Sequence, residues 1–337
     1  MSSEQCVIRP WFYDSFVCTA AKCTDNCCIG WEIDIDGSAM ERFGKVTGKF
    51  GERLRSAIHK GDPPTFAFAE GDRCALLRED GLCELILNCG EDILCDICAL
   101  HPRFFNEAGG VRECGLGLCC EEVCRLLFSS DRPMRFIGEA CGQEDEAAVL
   151  RSIRENMYAI LQDRSLCVTD RLGKCAEYGW SVQQYLESGT DGIPDIPDKW
   201  ESIISEESVA RLLETLHGME SINGEWSECI ERLLSRRSEL LFALPNYLES
   251  TDGQWRYEHI AVYTLFRHFI GCADDGAAYA RTMLACGITL AVLLTDCMKR
   301  LDSGSISEWD RILTLKLISK QVEYSQENID AFIEEYY

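Results

Sequence analysis

From residue 149 onward the apolar positions recur at helical spacing: Val149, Ile153, Met157, Ile160 and Leu161 share one face, and Val209, Leu212, Leu213 and Leu216 share another. The same spacing predicts helices over about 226–243, 255–272 and 276–300. Ser307 followed by Asp310 is a capping signal for a further helix over about 308–322. The stretch Gly192-Ile193-Pro194-Asp195-Ile196-Pro197 breaks the periodicity and reads as a linker within the helical part. Upstream the pattern is shorter in range. Trp31 to Asp36 alternates apolar and acidic residues as a strand does, and Arg103–Asn106 and Val111–Cys114 flank Ala108-Gly109-Gly110 as a hairpin would. Short helices are expected to start near Ser38 and Leu82. The predicted fold is mainly α: a cysteine-rich, metal-stapled module with short helices and a small β-hairpin over 1–130, then an α-helical domain over 131–337.

The chain has 337 residues, of which 46% are hydrophobic, enough for a substantial core. Its start lacks a basic segment followed by an apolar one. The longest apolar stretch, Met283–Leu294, is interrupted by Gly287 and Thr289 and is too short to cross a bilayer. The sequence therefore reads as a soluble, cytoplasmic protein with no membrane partner. The net charge of −24 is spread along the chain, with 21 acidic against 13 basic residues in 1–130. Such a surface repels a phosphate backbone, which argues against nucleic acid, and attracts a lysine-bearing protein.

Cysteine changes the picture most. Of 21 cysteines, 14 lie in the first 124 residues, and nine of these have metal-site spacing: Cys18, Cys23, Cys27, Cys28, Cys74, Cys83, Cys95, Cys98 and Cys120. An odd total and two adjacent pairs, Cys27-Cys28 and Cys119-Cys120, fit poorly with a disulfide framework in a reducing compartment. Thiolates are soft ligands suited to zinc and iron–sulfur clusters, and Cys95-x-x-Cys98 lets two sulfurs converge on one centre. Adjacent side chains are expected to point apart, so one of Cys27 and Cys28 would serve a second centre or a packing role. Which four of the nine hold a cluster stays open, as does one site or two. Cys229, Cys272, Cys286 and Cys297 sit among apolar helical residues, where a free cysteine fills core as a small hydrophobe.

The blocks Cys18…Cys23-Thr-Asp-Asn-Cys27-Cys28-Ile-Gly-Trp31, Arg73-Cys74-Ala-Leu-Leu77…Gly81-Leu-Cys83, Gly90-Glu-Asp-Ile-Leu-Cys95-Asp-Ile-Cys98…Pro102-Arg103 and Leu118-Cys119-Cys120-Glu121-Glu122 resemble the flagellin lysine N-methylase family, which contains the CxxCxxCC zinc- or iron-chelating domain. The resemblance continues more weakly in Asn246-Tyr247-Leu248, Tyr263…Arg267-His268-Phe269 and Ser319–Asn328. Lys320, Gln321 and Tyr324 depart from the family pattern, as does Cys-Cys-Glu-Glu at 119–122. The resemblance implies an enzyme that uses S-adenosylmethionine to methylate lysines of flagellin, or of another lysine-bearing protein, and that holds a 4Fe-4S cluster, with zinc as the alternative metal.

Methyl transfer to an ε-amine requires a neutral lysine, an in-line sulfonium methyl and exclusion of water. Asp25 and Tyr324 are candidates for managing the lysine proton, though structural hydrogen bonding is favoured for both, and the catalytic and cofactor-binding residues stay unassigned. Trp31 suits core closure better than adenine stacking, His101 a capping or surface role better than ligation, and Arg103 is a weak partner for a cofactor carboxylate. No Gly-x-Gly-x-x-Gly follows a strand, and no Cys-x3-Cys-x2-Cys is present, because Gly30 stands at the required position. The rival function is a non-enzymatic metal-binding or redox-sensing protein, with iron–sulfur or zinc.

Overall fold

A computed structural model describes residues 6–138, 145–189 and 192–337. The chain divides into two compact units, one of residues 17–104 with 120–122, and one of the remainder.

The larger unit is helical with one small sheet. Strands β1 (Cys6–Pro10), β2 (Arg103–Ala108), β3 (Val111–Leu116) and β4 (Phe136–Ile137) lie in the order β2-β3-β1-β4. The expected hairpin is β2–β3, and its two-residue Gly109-Gly110 turn has φ of 55° and 72°, the left-handed conformation that twisted hairpins prefer. β1 runs parallel to β3 and antiparallel to β4. Helices follow: α1 (Glu146–Leu161), α2 (Val168–Ser188), α3 (Glu206–Gly218), α4 (Gly224–Ser235), α5 (Arg237–Ser250), α6 (Gln254–His268), α7 (Ala278–Ser303), α8 (Glu308–Glu323) and α9 (Gln326–Tyr336).

α7 organises this core. It is apolar on nearly every face, and it packs against α2, α6, α8 and α9. By length and composition it is apolar enough to cross a membrane, unlike the shorter stretch expected from the sequence, but almost all of it is buried inside the protein. Its buried hydroxyls are satisfied locally: Thr282, Thr289 and Thr295 donate to the carbonyls of Ala278, Ala285 and Ala291 at 2.7–2.8 Å. Cys272, Cys286 and Cys297 are buried in this unit and Cys229 is half-buried. α8 begins with the Ser307–Asp310 capping box.

One helical expectation is corrected, and one helix, α2, was not expected. The segment 226–243 is two helices rather than one, broken at Arg236, whose guanidinium bonds Glu239 and Asp302. α2 carries Gly173 and Gly179, which weaken the helical signal. A Cβ at Gly179 would lie 2.7 Å from the Thr282 side chain, so glycine is what lets α2 approach α7.

The smaller unit has little regular structure: short helices, among them Gly37–Gly44 and Glu84–Cys89, and two-stranded ribbons. Asp36 caps the first helix by accepting from Ala39 N at 2.8 Å. Residues 31–36 do not form the expected strand. Their alternation is real, with Ile33 and Ile35 buried and Glu32 and Asp34 exposed. Among the described residues they pair only through Phe66 N to Ile33 O (3.1 Å) and Ile35 N to Pro64 O (2.8 Å), because the partner strand Thr65–Phe66 is two residues long and follows Pro63-Pro64, which have no N–H to donate.

Candidate functional site

All nine cysteines singled out from the sequence fall in the smaller unit. Its core consists of Ile33, Ile35, Ala39, Phe43, Leu54, Ala57, Phe66, Leu76 and Leu85 together with Cys74 and Cys95, and Cys28, Cys83 and Cys98 pack against it. The other four are more open: Cys18 and Cys27 are exposed, Cys23 and Cys120 half-buried. The local turns explain how these residues come together. Cys74 N donates to Cys28 O at 2.8 Å, Leu77 bridges Cys83, and Cys95 begins the helix Asp96–Leu100, one turn of which brings Cys98 back to it. Cys120 joins through its neighbour Glu121, whose carboxylate accepts from Thr24 N (3.0 Å) and Thr24 Oγ1 (2.6 Å) beside Cys23.

Cys27 and Cys28 do not point apart. Their thiols are in hydrogen-bond contact. A turn is the cause: Asn26 Oδ1 accepts from Cys28 N at 2.9 Å and Asn26 O from Ile29 N at 3.1 Å, which swings both side chains to one side. The thiols form an electrostatically coupled set. The bond from Cys98 pulls Cys95 down to about 7. Cys98 is pushed far above the ordinary thiol range by that bond, by burial and by the nearby Cys95, Cys28 and Cys74. Cys28 is raised similarly by its bond with Cys27, by burial and by Cys27, Cys74 and Cys83, and Cys74 is raised by burial. Each thiolate charge therefore opposes the next, a conflict that a bound cation relieves. Among the described residues no three His, Cys, Asp or Glu side chains already converge as a closed metal site. Elsewhere in the chain, Cys6 is in a disulfide.

The other residues weighed from the sequence take structural positions. Trp31 is half-buried against this core, donates from Nε1 to Cys27 O at 2.6 Å and meets the His101 ring edge-on at 5.3 Å. Asp25 accepts from Asn26 N at 2.8 Å. Arg103 opens β2. In the helical unit Tyr324 bonds Cys119, and its hydroxyl fills the space where a side chain at Gly117 would stand.

Two of the three weaker C-terminal motifs converge in that helical unit, while Tyr247 of the third bonds Tyr257 and Arg311 instead. Tyr263 Oη donates to Leu116 O and accepts from Leu116 N, both at 2.7 Å. His268 Nε2 donates to Glu323 at 2.8 Å, and Arg267 lies 3.2 Å from Glu323 and over the Tyr324 ring at 5.1 Å. Burial works against the Glu323 carboxylate, but Arg267 and then His268 hold it down to about 2. Ionised and held through Oε1 by Arg267 and His268, Glu323 anchors this cluster rather than serving as a base. Asn328 and Gln321 fasten α8 and α9 to the turn at Glu220, Asn328 accepting from Glu220 N at 2.9 Å and Gln321 donating to Glu220 O.

A cavity of about 180 Å³ opens among α2, α3, α7, α9 and the loop before α3. Its walls include Glu177, Trp180, Glu201, Arg211, Tyr279 and Tyr336. Nothing in the sequence marked these residues.

A family model described as the FliB lysine N-methylase C-terminal domain matches residues 154–336, more than half of the chain. The chain belongs to the FliB lysine N-methylase family. It is similar to the flagellar biosynthetic protein FliU of Salmonella muenchen, 26% identical over 149 residues that cover 38% of this chain and 80% of FliU. It is equally similar to the lysine-N-methylases of Salmonella typhimurium (strain LT2) and Salmonella choleraesuis, at 26% identity over 149 residues. There the match covers 38% of this chain and 34% of each relative, so the chain spans about a third of the length of those methylases. No solved structure matches the chain. The matched residues contain α2 to α9, including the cluster around Glu323 and every wall of the cavity.

Proposed function

We propose that the protein is an S-adenosylmethionine-dependent protein-lysine N-methyltransferase that acts on flagellin and carries a 4Fe-4S cluster on its cysteine-rich unit. The observation that carries this reading is the family match over residues 154–336. The flagellar name of the FliU relative supports flagellin as the substrate, and the net charge of −24 favours encounter with a lysine-bearing partner.

The donor chemistry fits a metal–sulfur centre. Cys28, Cys74, Cys83, Cys95 and Cys98 are thiols gathered at one small core, with other thiols as their neighbours. These five would supply the ligands, with Cys18, Cys23, Cys27 and Cys120 as outer donors. Bound there, a 4Fe-4S cluster would cross-link the unit and provide a one-electron redox site. The same donors suit zinc, which would cross-link without redox chemistry.

Anaerobic purification, followed by iron and sulfide analysis and titration with S-adenosylmethionine, tests the proposal. A brown protein with iron and sulfide that binds S-adenosylmethionine supports it. A protein that carries metal but binds no S-adenosylmethionine instead favours a non-enzymatic metal-binding or redox-sensing role.

A further inference from the structure

The cavity in the helical unit has chemistry that neither the thiols nor the Glu323 cluster uses. Its volume, about 180 Å³, falls below the roughly 300–1,000 Å³ of sites that enclose drug-sized ligands. It suits a single long side chain. Three aromatic rings line it: Trp180, which is 46% exposed and meets Tyr279 edge-on at 5.4 Å, and Tyr336. Apolar atoms of Met283 and Leu290 form more of its wall.

The charges in the cavity are unbalanced. Arg211, its cation, is already engaged: Nε lies 2.7 Å from Glu335 Oε1, and the guanidinium stacks over the Tyr336 ring at 4.6 Å. Glu177 and Glu201 are not matched in this way. No hydrogen bond or ion pair engages either carboxylate among the described residues, and Lys174, one turn before Glu177, lies over the Trp200 ring at 5.2 Å instead. Both carboxylates bear on Tyr279, whose hydroxyl is pushed upward by burial first, then by Cys286 and, against the pull of Arg211, by Glu177 and Glu201. Two unpaired carboxylates beside aromatic faces attract an organic cation, and the apolar walls of Met283 and Leu290 accept the methylenes that carry it.

We infer that this cavity binds the cationic side chain of a lysine on the protein substrate. This deepens the methyltransferase reading and rests on it for the identity of the partner. The site docks a lysine rather than activating one: neighbouring carboxylates stabilise the ammonium form, whereas the methyl acceptor must be neutral. Glu177 and Glu201 are therefore positioning residues.

The test uses the full chain with ¹³C-methyl methionine, the Met283 resonance being assigned by Met283→Leu. The probes are Nα-acetyl-lysine methylamide and its Nε-acetylated twin. The lysine probe should shift Met283 saturably and the neutral twin should not. Glu177→Gln with Glu201→Gln should weaken binding about tenfold, the sum of two partly exposed ion pairs, and added salt should weaken binding to the wild-type protein. Equal response to both probes, or affinity unchanged by the double substitution, would overturn the inference. If the double variant does not fold, Glu201→Gln alone and the salt titration decide. Methyl transfer to flagellin separates the two readings. With transfer intact, the double variant should raise KM and leave kcat unchanged. Transfer with a silent Met283 sinks the cavity inference alone, and a responding Met283 without transfer to any lysine-rich protein sinks the methyltransferase reading alone.

Discussion

The interiors of the two units handle buried ionisable groups in opposite ways. In the helical unit each buried acid meets a base: Glu113 with Arg154, Glu258 with buried Arg171 and exposed Arg164, Asp296 with Arg311, and Glu323 with Arg267 and His268. In the cysteine-rich unit Glu121 and Glu122 are buried as well, but its core holds the thiols Cys74 and Cys95 with Cys28, Cys83 and Cys98 packed against it, and the bonds that dominate the titration of this set join Cys27 to Cys28 and Cys95 to Cys98. The first interior pairs acid with base. The second gathers thiols that ionise only at one another's expense, and its apolar core is small. The difference teaches that the helical unit can stand on packing and internal ion pairs, whereas the cysteine-rich unit has few apolar contacts of its own, which is why the proposed metal centre would add to its folding energy.

The strongest way to break this comparison is Cys95→Ser with Cys98→Ser. We expect metal and sulfide to be lost and residues 17–104 to become protease-sensitive while 146–336 stays resistant, since structural metal sites contribute on the order of 10 kcal/mol. Limited proteolysis with mass analysis reads both halves at once, and equal resistance of the two would show that thiols elsewhere, or packing alone, hold the unit.

A smaller effect sharpens the helical side. Burial pushes the Asp296 carboxyl up to about 6 even though Arg311, and a hydrogen bond donated by Tyr257 at 2.8 Å, favour its ionised form. Its pKa is raised above the unfolded value, so its contribution is fully present below about pH 4 and is lost as pH rises through about 6. Relative to Asp296→Asn, the wild-type protein should therefore lose up to about 3 kcal/mol of stability across that window. Urea midpoints measured at several pH values check this, and parallel curves for the two proteins would refute it.

Gly117→Ala drives a methyl group into the Tyr324 hydroxyl and should cost about 1–3 kcal/mol. Adding Tyr324→Phe should restore part of the loss, as read by thermal unfolding. Ser307→Ala removes the cap of α8 and should cost about 1 kcal/mol in the same assay.

Much of the helical unit was legible because burial follows period: α1, α3, α6, α7 and α8 lie close to where the apolar residues recur. α2 was hidden by glycines whose role is to permit contact with α7, a tertiary reason that no local window contains. α9 was hidden by its shortness and by acidic residues along its open face. In the cysteine-rich unit, spacing located the thiols, but the Asn26 turn that directs Cys27 and Cys28 together has a side-chain cause that adjacency alone does not reveal. The cavity was illegible for a simpler reason: its walls come from five segments between residues 173 and 336.

The most direct test of the central claim is mass spectrometry of flagellin incubated with the full, anaerobically purified protein and S-adenosylmethionine. The account predicts that lysine side chains gain the mass of one or more methyl groups while arginines stay unmodified. Metal-loaded protein that binds S-adenosylmethionine yet adds no methyl group to flagellin, or to any other lysine-rich protein offered, would contradict it.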